Sequence, residues 1–568
     1  MLEALSPFFL WQAAEPARYW AVVWTSLGVT ALLSFLPALA VGAKHHWPGR
    51  LAHPVIFSGV FVATFLAWRW PTWFAGPQPN PDEAHMIAGA ITLRDYPVFW
   101  RDVDGTTHGP LNDYALLPAT AAGLPLDLVG ARFTGSLLAA GALLAVWLTT
   151  RRWLDDASSR LALLPALVFW GGTSFWDFFQ YSSELVPLFL IAVGGTLGTV
   201  ALKSGSPLWR RAALAGAAAA LGLVPYAKLQ AIPLAAAVGF ILLCATFGWP
   251  NPKSTRARYV ETGWLVAGAL VPTLLLLVTL AGSGLLAEFF QAYIRSNLLY
   301  AESRHLSWGG QLLDWNRYLA AAPGSASFFQ GYLWAALLLL VPALFRGGRP
   351  AFWTTLGWAV AIASFLTVLA PGRTYLHYLH FLVPGAAFLL ACSLSAAQQN
   401  LAPISPWLAR AALLVGLLVA LGPQLAFRHR EDHPFLRSHA AWRATPPSSL
   451  VARLKMESLP RDRLTIWGWR PMLHVETGLP QGTRDGQTQR MIEPGPMAEY
   501  YRNRFMGDFQ RNRPRWFVDA VGPGNFAYED RRSQDHRTFR ALALVVRDDY
   551  ELLGEFDGCR LYRRKDPR

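Results

Sequence analysis

"PNPDEAHMIAGAITLRDYPVFWRDVDGTTHGP", residues 79–110, lies between apolar runs at 54–74 and 129–149, yet holds five carboxylates, two arginines and two histidines. Such a concentration of charge between two greasy segments marks a loop outside the apolar phase, provided the flanking runs cross a bilayer. The 568-residue chain is 53% hydrophobic and only 15% charged, with 25 tryptophans, well away from an average soluble domain. A soluble multidomain enzyme has no need of repeated apolar runs approaching membrane-spanning length, so the chain is expected to be a membrane protein.

Twelve apolar segments can be drawn, at 18–42, 54–74, 129–149, 161–177, 184–202, 212–225, 230–248, 260–281, 331–345, 351–370, 376–397 and 408–426. The expected fold is therefore a polytopic α-helical membrane protein of about 12 transmembrane helices. Alternate connections are basic: "AKHHWPGR" at 43–50, "RRW" at 151, "KSGSPLWRR" at 203–211, "KSTRAR" at 253–258 and "RGGR" at 346–349. The positive-inside rule places these in the cytoplasm, where orientation is also a sufficient reason for His45 and His46. Residues 75–128, 178–183, 226–229, 282–330, 371–375 and the tail after 427 then lie outside, in a plasma or inner membrane. "QQNLAPISPWLAR" at 398–410 is the weakest inside connection, with only Arg410 to hold it. The first twenty residues lack a basic region and a small-residue cleavage site, so they are expected to be retained, with the N-terminus outside.

The tail has another rhythm. Short β-rich runs, "RLTIWGW", "RPRWFVDA", "ALALVVRDDYELLGEF" and "CRLYRR", are separated by Pro, Gly and charge. They predict a soluble extracytoplasmic α/β or α+β domain. The organisation is thus a membrane domain over 1–427, carrying outer loops 75–128 and 282–330, followed by a second domain over 428–568. A net charge of +14 would suit nucleic acid, but no basic helix with interleaved aromatics occurs, and the loop arginines report orientation. Cys244 and Cys392 fall in apolar spans and Cys559 stands alone, which argues against a disulfide framework or a cysteine zinc site.

There is no glycine-rich phosphate loop, and the cytoplasmic connections are too short for a nucleotide-binding domain. Chemistry would have to use a substrate reachable from the outer leaflet, which points to a lipid-linked donor. "PQPNPDEAHMIAGAIT" predicts a helix start, with Asn80 as cap, Pro81 in the first turn, and Asp82 and Glu83 suited to the helix dipole. Dipole placement accounts for both acids without any function. The functional alternative is a carboxylate that accepts a proton from a hydroxyl.

The order of a membrane segment, "PDEAHMIAGAITL", "YPVFWRDVDGTTHGPLNDYALLP" and another membrane segment resembles the first outer loop of the GT-C membrane glycosyltransferases. The similarity is closest to the branch of protein mannosyltransferases, aminoarabinose transferases and lipopolysaccharide galacturonosyltransferases. "QYSSELVPLFL", "GLVPYAKLQAIPL", "PGRTYLHYLHFLVPGAAFLLA", "LTIWGWRPMLHVETGLP" and "GEFDGCRLYRR" follow in that family's order over most of 54–568. Two departures stand out: an extra apolar segment precedes the loop, and "THGPLNDY" replaces the commoner Lys-Pro-Pro-Leu-Tyr.

The resemblance implies transfer of a sugar from a polyprenyl phosphate to an acceptor hydroxyl of a lipid, glycan or protein, usually with inversion. It implies Asp82 as base and Glu83 as the group that orients Asp82 or the acceptor. Arg101, His108, Lys228, Arg295, Arg304, Arg373 and His377 are the candidates for binding the donor phosphate. Asp102, Tyr181, Glu184, Gln230 and Tyr378 would bind acceptor or support the site. Each has a plainer reading, such as a snorkelling Lys228, an Arg373 and His377 that anchor a helix at the headgroups, or a Glu184 that merely opens a helix. Arg295, Arg304 and His305 fall in a segment expected to form a half-buried interfacial helix. Asp82, Glu83, His85, Asp102, Asp104, His108 and Glu184 offer ligands suited to a divalent ion, but in no tight signature, so no metal site is assigned and a divalent cofactor stays open. The rival reading is a transporter or flippase of a lipid-linked sugar. Charge placed in outer loops, with an appended soluble tail, favours an enzyme over it.

Overall fold

The computed structural model describes residues 2–40, 51, 53–76, 81–247, 254–303, 306–345, 347–428 and 433–565. Helix α1 (Leu2–Ala13) leads into the membrane helices α2 (Pro16–Ala40) and α3 (Pro54–Trp73). A short helix α4 (Asp82–Asp95) opens the first charged loop, and α5 (Leu128–Thr150) closes it. There follow α6 (Leu164–Gly172), α7 (Leu185–Lys203), α8 (Pro207–Leu223), α9 (Ile232–Thr246), α10 (Thr255–Gly282), α11 (Pro323–Leu344), α12 (Gly348–Leu369), α13 (Leu382–Leu401) and α14 (Pro406–Arg428).

Among the described residues, ten helices are long and apolar enough to cross a membrane. The chain is a polytopic helical membrane protein. The two remaining segments of the expected twelve are shorter. Residues 161–177 do not form one span: Pro165 and the pair Gly171–Gly172 divide the stretch into α6 and two shorter turns, and every residue of α6 is buried. Helix α8 has 17 residues and ends where Pro225 tightens the chain into a 3-10 turn. Large apolar side chains such as Leu275, Val278, Trp334 and Val341 remain exposed on α10 and α11, a pattern costly in water and natural in lipid.

The connections sort to two ends. Trp153 meets Trp353 at 5.4 Å and lies under Lys203, Arg210 bonds Glu261 at 3.2 Å, and Ser158 reaches Gln398 at 3.4 Å. The basic connections that are described, together with the weakly charged one at 398–410, therefore share one end. At the other end α1 packs Phe9 on Trp70, and His439 stacks edge-on against Phe74. That end carries the charged loop and the C-terminal domain.

The C-terminal domain contains α15 (Ser449–Glu457), β1 (Leu464–Gly468), α16 (Ala498–Asn512), β2 (Trp516–Ala520), α17 (Arg540–Asp549), β3 (Tyr550–Phe556) and β4 (Cys559–Arg564). Its sheet has the order β1-β2-β4-β3, with β1 and β2 parallel and the other pairs antiparallel. Alternation sets its two faces: Leu464, Ile466, Trp516 and Val518 pack on α15, while Trp467 and Phe517 pack on α16 and α17. "ALALVVRDDY", expected as strand, is helical because Leu542 and Val546, four apart, form one buried face.

This domain is bonded into the loop. Arg504 bonds Asp104 at 2.6 Å and Glu288 at 2.8 Å and also pairs with Asp485, while Arg484 holds Asp508 at 2.7 Å. The Gln481 amide donates to Thr92 Oγ1 of α4 at 3.0 Å.

Sealed, oriented vesicles test the two-ended arrangement. With Cys244, Cys392 and Cys559 replaced by alanine, Gly205→Cys and Glu302→Cys are each exposed to a membrane-impermeant maleimide. The expected outcome is labelling of the two from opposite faces; labelling of both from one face would refute it.

Candidate functional site

The first residue of α4 is Asp82, exposed at the helix start beside buried Pro81, and Asn80 lies outside the described residues. Its neighbour Glu83 is 2% exposed and is gripped by Arg132, which projects from the second turn of α5 and is fully buried. Arg132 Nη2 donates to Glu83 Oε2 at 2.7 Å and its Nε to Oε1 at 3.0 Å, while Nη1 donates to the Ala75 carbonyl at 2.5 Å. The Tyr181 amide donates to Glu83 Oε1 at 2.7 Å. Both carboxylate oxygens of Glu83 are thus occupied, and the residue anchors α4 so that Asp82 is presented at its tip.

A second cluster lies around Glu184, at the start of α7. Lys228 Nζ bonds Glu184 Oε1, and it donates to Ser183 Oγ at 2.8 Å; Ser182 also bonds Glu184. Burial would raise the Glu184 carboxyl, but Lys228 and then His377 outweigh it and hold the group at about 2, so it stays ionised. Lys228 lies over the Tyr378 ring at 5.0 Å, and His377 Nδ1 meets Asp177 Oδ1 at 3.1 Å. His380 is fixed by the Trp170 indole at 3.0 Å.

The tyrosines join the clusters. Tyr300 faces Tyr375 and Tyr378, and its phenol is pushed up by burial first, then by Tyr375 and more weakly by Asp82, against the pull of Arg373. Arg373 stacks on Tyr300 at 3.8 Å and donates through Nη2 to the Tyr300 and Ser303 carbonyls at 2.9 and 2.8 Å. Tyr300, Arg373, Tyr378, Lys228, Glu184 and His377 therefore form one polar cluster, with Asp82 near enough for its charge to act on Tyr300. Among the described residues, Arg373 Nε and Gln230 Oε1 are buried polar atoms without a hydrogen-bond partner, as expected of groups that await a polar ligand.

The bundle also holds an apolar cavity of about 930 Å³, which none of these residues lines. Leu188, one turn beyond Glu184, and Leu234 and Pro384, beyond Lys228 and His377, form its near end; it runs along α7, α9, α12 and α13 to Lys203 and Arg349 at the basic end.

Other expected site residues lie elsewhere. Arg101 is half exposed and pairs with buried Asp102 at 2.9 Å, against the C-terminal domain. His108 is buried and bonds Asp113 at 2.8 Å, so its ring supports the loop. Arg295 is exposed on a π-helical turn and donates to Gln291 at 3.0 Å. Arg304 and His305 lie outside the described residues. Tyr181 donates its phenol to the Asn112 carbonyl at 2.6 Å, which ties the loop to α7, and Gln230 reaches the Thr367 carbonyl at 3.2 Å. Among the described residues no three His, Cys, Asp or Glu side chains group as metal ligands.

Sequence reasoning missed Arg132, Asp177 and Tyr300. The first two carried a signal, since charge inside an apolar run demands a buried partner. Tyr300 carried none.

No protein-family model and no curated protein sequence matches the chain. Solved structures do. ArnT from Cupriavidus metallidurans bound to undecaprenyl phosphate is 16% identical over 89% of this chain and 97% of its own, with a TM-score of 0.54. The apo state of the same protein gives 14% identity over the same shares and a TM-score of 0.52. These likenesses show that the chain shares the fold of that protein.

Breaking the anchor tests its weight. Arg132→Met leaves Glu83 buried and uncompensated, and is expected to cost about 3–5 kcal/mol, whereas the double variant Arg132→Met/Glu83→Gln recovers part of that loss. Thermal unfolding in detergent reads both; an Arg132→Met melting temperature equal to the parent's would contradict the assignment.

Proposed function

We propose that this chain is an integral-membrane glycosyltransferase that moves a sugar from a polyprenyl-phosphate donor to an acceptor hydroxyl, with inversion at the anomeric carbon. The observation that carries the reading is a cationic cluster, buried Lys228 and His377 with half-buried Arg373, in the same bundle as a long apolar cavity that begins at Leu188, Leu234 and Pro384. A lipid phosphate needs that combination: positive charge for its headgroup and an apolar channel of membrane depth for its tail. The outer face is the reactive one in this scheme, with the N-terminus and the C-terminal domain extracytoplasmic in the plasma or inner membrane.

Asp82 accepts the proton of the acceptor hydroxyl as that oxygen attacks the anomeric carbon. The new carbon–oxygen bond forms as the bond from that carbon to the phosphate oxygen breaks, and the electron pair leaves with the phosphate. A phosphate is already a good leaving group, so no general acid is required. The charge it gains is met by the ammonium of Lys228, which holds Ser183 and Glu184 and has a third N–H to offer. Arg373 Nε supplies a second donor in the same cluster. Glu184 keeps Lys228 in place and Tyr378 covers it, while Tyr181 and Gln230 support the site from outside the cluster. Acceptor identity among lipid, glycan and protein is set by the outer surface beside Asp82.

The test supplies purified protein with a panel of polyprenyl phosphate sugars and follows donor consumption by mass spectrometry. Asp82→Asn is expected to lower turnover by a factor of about 10² to 10⁴ while donor binding persists; Lys228→Met is expected to lose donor binding itself. Transport of the lipid-linked sugar without consumption of any donor, unchanged by Asp82→Asn, would replace this reading with the transporter.

A further inference from the structure

The C-terminal domain has a concavity of about 500 Å³ far from the lysine cluster, at the edge of the sheet where β1 and β2 begin and β4 ends. Six arginines line it: Arg461, Arg463, Arg513, Arg515, Arg563 and Arg564. Only one lining residue, Asp462, is acidic, and it approaches Arg515 at 3.5 Å. Glu551 and Glu457 reach Arg563, at 2.6 and 3.3 Å. Arg463 is stacked on Tyr96 at 3.5 Å, and Arg564 donates to the Arg513 carbonyl. The side chains of Arg461 and Arg513 make no hydrogen bond, ion pair or ring contact among the described residues.

Packing does not account for this set. Guanidinium groups crowded around one concavity repel each other, and the acids present offset a minority of them. Arg461 and Arg513 also sit at φ 71° and 42°, where an L side chain is strained and glycine or asparagine would serve a turn more cheaply. Arginine in both places adds strain and repulsion to the empty pocket. A multiply charged anion relieves the repulsion, and the planar forks match phosphate oxygens two at a time.

We propose that this pocket binds a ligand with two or more phosphoryl groups close together, and that in the working protein these belong to the acceptor. The second half of the proposal rests on the transferase reading; the anion site does not. The link to the reaction is α4. Tyr96, which caps this helix and carries the Arg463 stack, stands at one end, and Asp82 at the other; 14 residues separate them by about 21 Å. Residues 83–93 of α4 are buried, so a phosphorylated glycan held at the arginines would span that distance over the outer surface, with its hydroxyls toward the base.

Calorimetry on the full-length protein in detergent provides the test, with inorganic pyrophosphate as probe. Binding is expected to weaken by roughly tenfold or more in Arg461→Gln/Arg513→Gln, whose side chains support nothing else, and to be unchanged in Arg211→Gln at the opposite end of the bundle. It is also expected to survive Lys228→Met, which separates this site from the donor phosphate site. Pyrophosphate binding within twofold of the parent in the double variant, or its loss in Lys228→Met, would overturn the proposal, as would no binding by the parent. A second arm distinguishes the source of the phosphate. A phosphomannan fragment that displaces pyrophosphate, while its dephosphorylated form does not, supports a glycan-borne group; displacement by neither limits the site to free polyphosphate and overturns the acceptor half. Neither arm depends on transfer activity, so failure of the transferase reading would be seen separately.

Discussion

A charge cannot be left alone inside this bundle, and the pairing of Glu83 with Arg132 is where that constraint shapes the site. Desolvating a guanidinium and a carboxylate costs several kcal/mol for each, repaid only when geometry is close and every remaining polar group has a partner. Here the partners come from four places: the α3 terminus through the Ala75 carbonyl, α5 through Arg132, α4 through Glu83, and the segment before α7 through the Tyr181 amide. Once these meet, the first turn of α4 has one position and orientation. Consecutive residues on a helix point about 100° apart, so burying Glu83 turns Asp82 outward. The adjacent acids differ in environment because the fold uses one to place the other.

The same economy governs the lysine cluster. Glu184 is fully buried and held ionised, which gives Lys228 a fixed negative partner. Two serines and a tyrosine ring complete the surroundings of Lys228 without consuming all its donors. Asp177 in turn fixes the His377 ring, meeting its Nδ1 at 3.1 Å.

Most of the membrane architecture was legible in the sequence because hydrophobic length and loop charge are local properties. The connection at 398–410 joins the basic end through Gln398 although its own charge barely indicates it. Residues 161–177 misled, since an apolar run that is buried on every side looks the same as one that faces lipid, and only the glycine pair and Pro165 distinguish them. The tail strands were legible from alternation, whereas "ALALVVRDDY" was not, as its two buried residues suit either period. Among the expected site residues, Lys228, Glu184, Arg373, His377 and Tyr378 lie together, with Asp82 near them. Arg101, Asp102 and His108 do not, because the C-terminal domain and Asp113 claim them. Which side chains another domain will engage is a long-range fact that no local pattern carries.

That engagement has a further consequence. Asp104 and Asp485 share Arg504 at the joint between loop and domain, and burial followed by the neighbouring acids lifts Asp485 to about 7 despite Arg504. The folded joint therefore binds a proton that the unfolded chain would release near its ordinary carboxylate range. The group's contribution to stability is complete below that range and falls as pH rises through about 7. Because the Gln481 amide holds Thr92 and Arg463 holds Tyr96, loosening the joint would loosen the far end of α4, the same rod whose near end Glu83 fixes. Two independent charge networks thus clamp one helix from opposite ends. The presentation of Asp82 depends on both, although only the Arg132 pair lies beside it.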